Sequence, residues 1–142
     1  MDLFIRPYLP RDFDEALNVD GRPSKRRADK LRLVEAGAFW CLVAEDDSGI
    51  VGFIIMEDLG DDDGKSHYMV QINVARKRKR IGTKLVVRAF ETIRVGGHVS
   101  LCVNTDNTEA ISFYESLGFK WSGYVKGYRK NQDKFWYCID VK

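Results

Sequence analysis

Between Asn107 and Phe119 the chain sets a tyrosine where it could give up a proton. The stretch reads Asn107-Thr108-Glu109-Ala110-Ile111-Ser112-Phe113-Tyr114-Glu115-Ser116-Leu117-Gly118-Phe119. Ala110, Phe113, Tyr114 and Leu117 recur at three- and four-residue intervals and so share one face of a helix. Asn107 stands where a helix cap belongs and Gly118 where a helix stops. A phenol on that face is held in place, and a held phenol can hand a proton to a ligand lying alongside the helix. The spacing alone also fits a capped amphipathic helix with a core tyrosine.

A second stretch suits phosphate. Val74 to Lys84 reads Val-Ala-Arg-Lys-Arg-Lys-Arg-Ile-Gly-Thr-Lys, a strand running into a tight polar loop and then a helix. The first amides of that helix have no internal partners, and with the helix dipole they form an anion site suited to a pyrophosphate. Glycine there lets a phosphate approach the backbone. The five consecutive cations Arg76 to Arg80 also fit a nucleic-acid patch or a solvated surface. A second basic group, Arg22, Lys25, Arg26, Arg27, Lys30 and Arg32, fits the same two readings.

The elements that must position these groups follow from the pattern of apolar and turn residues. Leu3 to Arg6 reads as a strand stopped by Pro7, and Arg11 to Val19 as a short helix after Pro10. Ser24 caps a second helix that runs to Gly37. Phe39 to Glu45 and Ile50 to Glu57 are strands joined by the turn Asp46-Asp47-Ser48-Gly49. Asp58 to Gly64 is an acidic turn and His67 to Val74 a further strand. A helix opens at Arg80-Ile81-Gly82, carries Leu85, Val86, Ala89, Phe90 and Ile93, and ends at Gly96-Gly97. His98 to Asn104 is a strand leading to the tyrosine helix. Trp121 to Lys126 and Lys134 to Val141 form a final strand pair around Asn131-Gln132-Asp133.

With 142 residues, 44% hydrophobic and 31% charged, the chain is expected to be one globular domain over residues 1–142. No apolar run approaches the roughly 18 residues needed to span a bilayer, and the start of the chain does not read as a signal peptide. The formal charge of +2 is too small to call for a polyanionic partner. Cys41, Cys102 and Cys138 stand apart in apolar surroundings, as reduced thiols of a cytoplasmic protein would. The histidines, His67 and His98, are isolated too, so no metal site is expected.

The pattern Asn-x-x-Ala-x-x-Phe-Tyr-x-x-x-Gly-Phe resembles the fourth-helix motif of the GNAT acetyltransferases, which use acetyl-coenzyme A. The order of elements resembles the GNAT fold over nearly the whole chain. The resemblance implies an α/β (α+β) fold with a central, mixed, mostly antiparallel seven-stranded sheet. Four helices flank it, and its fourth and fifth strands splay apart. It implies direct transfer of an acetyl group from acetyl-CoA, as co-substrate, to an amine acceptor of unidentified kind, by a monomer or homodimer with no metal and no membrane.

Residue by residue, the resemblance gives Tyr114 the role of general acid at sulfur and Asn107 a hydrogen bond to the cofactor arm. Ile72, Asn73 and Val74 would offer backbone groups to that arm. Arg78, Lys79, Arg80, Ile81, Gly82 and Thr83 would wrap the pyrophosphate. The loop departs from the family pattern: Gly82 keeps the second small position, Arg80 replaces the first glycine, and the span from Val74 is about two residues short. The alternative is a non-catalytic module of the same fold that binds nucleic acid through Arg76 to Arg80. Tyr114 and Asn107 rank the enzyme first, so nucleic acid is not the expected partner.

The general base stays open. Many relatives carry a glutamate on the fourth strand, and this strand has no acid. Ribosomal-protein N-terminal acetyltransferases carry one five residues before the capping Asn, where this chain has Cys102. Glu57, Asp58, His67, a water chain or an acceptor that arrives neutral remain. Tyr124, Tyr128, Trp136 and Tyr137 could wall the acceptor side or form one face of a half-buried hairpin.

Overall fold

The computed structural model describes residues 3–60, 65–75, 79–93, 95–129 and 132–142, and for Lys79, Tyr128 and Arg129 the backbone alone. Seven strands form one sheet in the order β1-β2-β3-β4-β5-β7-β6. They are β1 (Phe4–Pro7), β2 (Trp40–Asp46), β3 (Gly49–Asp58), β4 (Ser66–Val74), β5 (His98–Asn104), β6 (Lys120–Arg129) and β7 (Gln132–Asp140). The helices are α1 (Phe13–Leu17), α2 (Lys25–Glu35), α3 (Lys79–Thr92) and α4 (Thr108–Ser116). Every strand pair is antiparallel except β4–β5. Those two run parallel because α3 carries the chain back across the sheet between them, the crossover a parallel pair requires.

The expected elements are all present, most with bounds shifted by one to four residues; β7, for one, starts at Gln132, inside the stretch expected as its turn. The helix expected from Arg11 is a 3-10 turn, Pro10–Asp12, followed by α1. The Asp12 carboxylate accepts from the Leu9 amide at 2.8 Å and from two nitrogens of Arg6, which fixes that turn. β1 takes in Pro7, tolerable at the end of an edge strand. β6 runs past Lys126 to Arg129.

Strand alternation sends apolar side chains to both faces of the sheet. On one face Leu42, Ala44, Ile54, Met56, Val99, Leu101 and Val103 pack with Ile81, Leu85, Val86 and Ala89 of α3; Ala110, Phe113 and Tyr114 of α4 join them. On the other face Cys41, Val43, Phe53 and Ile55 pack with Ala16 of α1 and Leu31 of α2. The middle of β3 is therefore buried on both sides, from Ile50 to Met56.

Candidate active site

The central feature is a gap in the sheet. β4 pairs with β5 only at Ser66, His67 and Tyr68. β5 continues along β7 as far as Asn104, while β4 continues along β3 as far as Val74. The register of β3 on β4 shifts between Ile55, opposite Gln71, and Met56, opposite Met69, so Val70 is an extra, bulged residue. A bulge bends its strand and raises its twist, which is how β4 leaves β5 at this point. Ile72, Asn73 and Val74 lie along the opened edge. At the far end of β5 the Asn104 Oδ1 is buried with no hydrogen-bond partner among the described residues. Unpaired backbone groups and a buried orphan acceptor both call for a partner. An extended ligand bearing amides supplies donors and acceptors of that kind by adding as a strand, so the gap fits the pantetheine arm of coenzyme A.

The α3–α4 face beside the gap is held by close contacts at two glycines. A side chain on Gly52 of β3 would meet Ile81 Cγ2 at 3.0 Å and Val74 Cγ1 at 3.1 Å, so glycine lets the start of α3 sit against the sheet beside β4. A Cβ on Gly82 would lie 3.1 Å from Phe113 Cζ, so Gly82 brings α3 under α4. Of the residues expected at the pyrophosphate, Arg78 lies outside the described residues, with Arg76 and Lys77. Lys79 and Arg80 begin α3, and Arg80 holds a helical position with its side chain exposed. Ile81 is buried in the core, so only its backbone faces a ligand. Thr83 is half-buried.

Asn107 caps α4, its Oδ1 accepting from the Ala110 amide at 3.2 Å. Gly118 ends the helix in the left-handed region, at φ 99°. Tyr114 is half-buried in a run of rings. Its centroid lies 5.6 Å from that of Phe113 and 5.8 Å from that of Phe119, and Phe119 lies 6.0 Å from Phe90 of α3. Tyr114 belongs to the same apolar cluster as Ile72 and Val74 on the opened strand. Its hydroxyl has no hydrogen-bond partner among the described residues. Burial pushes its pKa up to about 12, so the phenol stays protonated across the neutral range.

The opposite face carries a pocket of about 390 Å³, lined by Arg26, Asp29 and Lys30 of α2 with Phe39, Glu57, Tyr68, Val70, Cys102 and Lys134. Tyr68 is backed by Trp136, stacked at 5.9 Å. The gap thus has the phenol's face on one side and a pocket on the other. A polar network that the sequence did not announce ties this face together. Arg27, at the heart of the second basic group, is buried. It donates to both oxygens of Asp20, at 2.8 and 3.0 Å, and to the Leu17 carbonyl. Asp20 also accepts from Asn73 on β4, and Lys30 donates to Gln71. The Arg27 guanidinium holds the Asp20 carboxyl below its ordinary range. Arg32 lies 3.6 Å from the Phe13 ring and bonds Glu35. The group therefore does not form one exposed patch.

Of the three side chains left as candidate bases, Glu57 lines the pocket, as does Cys102, which stands where some relatives carry a glutamate. Burial pushes the Cys102 thiol up, away from the thiolate. His67 is buried edge-on to Trp40 at 5.8 Å and is not in the lining, and the Asp58 carboxylate holds the Gly60 amide. Tyr137 is core, its hydroxyl donating to Glu115 of α4 at 3.0 Å. Tyr124 is exposed and bonds Asp133. Among the described residues no group of three or more His, Cys, Asp or Glu could hold a metal ion. No described helix is long and apolar enough to cross a membrane.

Residues 36–121 match the model of the acetyltransferase (GNAT) domain. The chain is 27% identical over 130 residues to the 5-NmdU N-acetyltransferase of Pseudomonas phage PaMx11, an alignment covering 88% of this chain and 92% of that one. A GNAT-family protein from Desulfovibrio desulfuricans superposes with a TM-score of 0.82 at 21% identity, over 99% of this chain and 100% of the other. The ribosomal-protein-S18-alanine N-acetyltransferase of Escherichia coli gives 0.82 at 17%, over 99% and 95%. At those identities the two structures speak for the fold alone.

Proposed function

The chain belongs to the GNAT acetyltransferase family, and on that premise we propose that Tyr114 and the β4–β5 gap carry out its transfer of acetyl from acetyl-CoA to an amine. One observation carries this reading: a protonated, unpartnered phenol packs in the same cluster as the residues of the opened strand. The open edge at Ile72, Asn73 and Val74 binds the cofactor arm, and Asn107 keeps its amide nitrogen for the same arm while its oxygen caps α4. The first turn of α3, with Arg78, Lys79, Arg80, Ile81, Gly82 and Thr83, receives the pyrophosphate. The amine enters from the α2 side.

The chemistry needs alignment, a donor for the oxyanion and a place for one proton at each end. The neutral amine attacks the thioester carbonyl and forms a carbon–nitrogen bond. A β4 amide near Asn73 or Val74 stabilises the oxyanion. The carbon–sulfur bond breaks, Tyr114 donates its proton to the departing sulfur, and the nitrogen loses a proton. That proton restores the phenol through solvent, so the products are an amide and free coenzyme A.

Residues 1–142 act as one domain, and their single continuous sheet supports that. Three free thiols suit a reducing, cytoplasmic setting. The phage relative is named an N-acetyltransferase, which supports an amine acceptor.

Tyr114→Phe should lower kcat roughly a hundredfold. It should leave intact the stabilisation by acetyl-CoA, about 2.7 kcal/mol at a hundred times Kd. Thermal-shift titration and thiol release read the two effects. Unchanged turnover removes the role given to Tyr114, and no acetyl-CoA shift removes the reading as a whole.

A further inference from the structure

Five charged side chains line the pocket on the α2 face, and three of them are already engaged. Asp29 lies 3.4 Å from Lys25, Lys30 donates to Gln71 at 3.1 Å, and Lys134 also has a partner. Glu57 and Arg26 are left. Neither side chain has a hydrogen bond or an ion pair among the described residues. Arg26, in the first turn of α2, is exposed, and Glu57, on β3, is half-buried. The negative group is thus the deeper one and the positive group stands at the rim.

A half-buried carboxylate with no partner is costly, because it has lost water and gained nothing in exchange. A pocket that keeps one is organised for a cation that arrives with the ligand. The substrate of this reaction is an amine, which is an ammonium ion in neutral water, so Glu57 marks the amine end. The lining also carries two aromatic rings, Phe39 and Tyr68, with Tyr68 stacked on Trp136. A volume near 390 Å³ suits a small molecule or a single side group of a larger one.

We propose that the acceptor is an amine that also bears an anionic group, its nitrogen received by Glu57 and its anion by Arg26. This rests on the acetyltransferase reading above and adds the acceptor class. Glu57 lowers the cost of bringing the ammonium in and takes the proton that must leave before attack; it passes that proton to solvent as the amide forms. Arg26 selects for the anion, and as a planar donor fork it suits phosphate or carboxylate. Opposite charges at the two ends also select against polycationic amines, which would leave Arg26 facing a like charge.

The test compares thiol release with matched acceptors: ethanolamine against phosphoethanolamine, and an aminoalkyl nucleoside against its 5′-monophosphate, with spermidine as the cationic control. The phosphorylated member of at least one pair should have kcat/KM some tenfold above its neutral twin. Arg26→Glu should abolish or invert that ratio, mainly through KM. Glu57→Gln should lower kcat for both members and flatten the acidic limb of the pH profile. Both variants should keep the wild-type thermal shift with acetyl-CoA. Equal rates within each pair, no turnover of any anionic amine, or a preference for spermidine overturns the proposal while the acetyl-CoA shift stands. Loss of the shift in the wild-type protein removes the acetyltransferase reading, and the acceptor class falls with it.

Discussion

The two faces of the sheet are built by different means. The α3–α4 face is closed by apolar packing: Leu85 and Ala89 are fully buried, and aromatic rings run from Phe90 through Phe119 and Tyr114 to Phe113. The α1–α2 face is held by a buried arginine, Arg27, whose carboxylate partner Asp20 reaches across to Asn73 of β4. One face uses contacts that any well-fitting hydrocarbon could make. The other uses directional bonds that fail when one partner is lost. In the proposed function the cofactor side is the first kind and the acceptor side the second. A family that keeps one cofactor and varies its acceptors would profit from that division.

The contrast is sharpest where the polar face is broken. Arg27→Ala leaves the Asp20 carboxylate without its cation and loosens its hold on Asn73, and should cost about 4 kcal/mol of stability in denaturant unfolding. A loss under about 1 kcal/mol would mean that this face is held by its apolar residues after all. On the other face Leu85→Ala should cost about 3 kcal/mol, from lost transfer energy and a residual cavity. It should leave the acceptor KM as it was. A raised acceptor KM would show the two faces to be coupled.

The smallest expected effect is on pH. Asp12 and Asp20 both titrate below the ordinary carboxylate range, chiefly through hydrogen bonds from Arg6 and Arg27. A carboxylate whose pKa is depressed by folding stabilises the protein fully above its unfolded value of about 4, and that contribution is lost as the pH falls below it. The unfolding midpoint should therefore be flat from pH 7 to about 5 and decline below about 4. A midpoint that holds down to pH 3 would show that the polar contacts contribute little.

How much of this was legible in the sequence follows the same division. The α3–α4 face is written in spacing: Ala110, Phe113, Tyr114 and Leu117 on one helix, Asn107 and Gly118 at its ends, and β5 with the bounds read from its residues. Periodicity and caps are local signals, and local signals survive in a string of letters. The α1–α2 face is written in partners far apart in the chain. Asp20 meets Asn73 across 53 residues, and nothing near Arg27 in sequence marks it as buried among exposed neighbours. Glu57 was one candidate among several until the fold placed it in the pocket and removed His67 to the core. Gly82 read as a phosphate glycine, and its missing side chain also seats Phe113, which no spacing rule would reveal.

Val70 gives β4 a shift of reading frame. Before it, His67 and Met69 turn toward the α3–α4 core; after it, Ile72 and Val74 do, although strict alternation would call for 71 and 73. Without that extra residue Gln71 would follow Met69 directly, still opposite Ile55, and β4 would run on as a regular strand with Ile72 and Val74 toward the same core; what would go is the bend that parts β4 from β5. A single codon therefore stands between a closed sheet and an opened one.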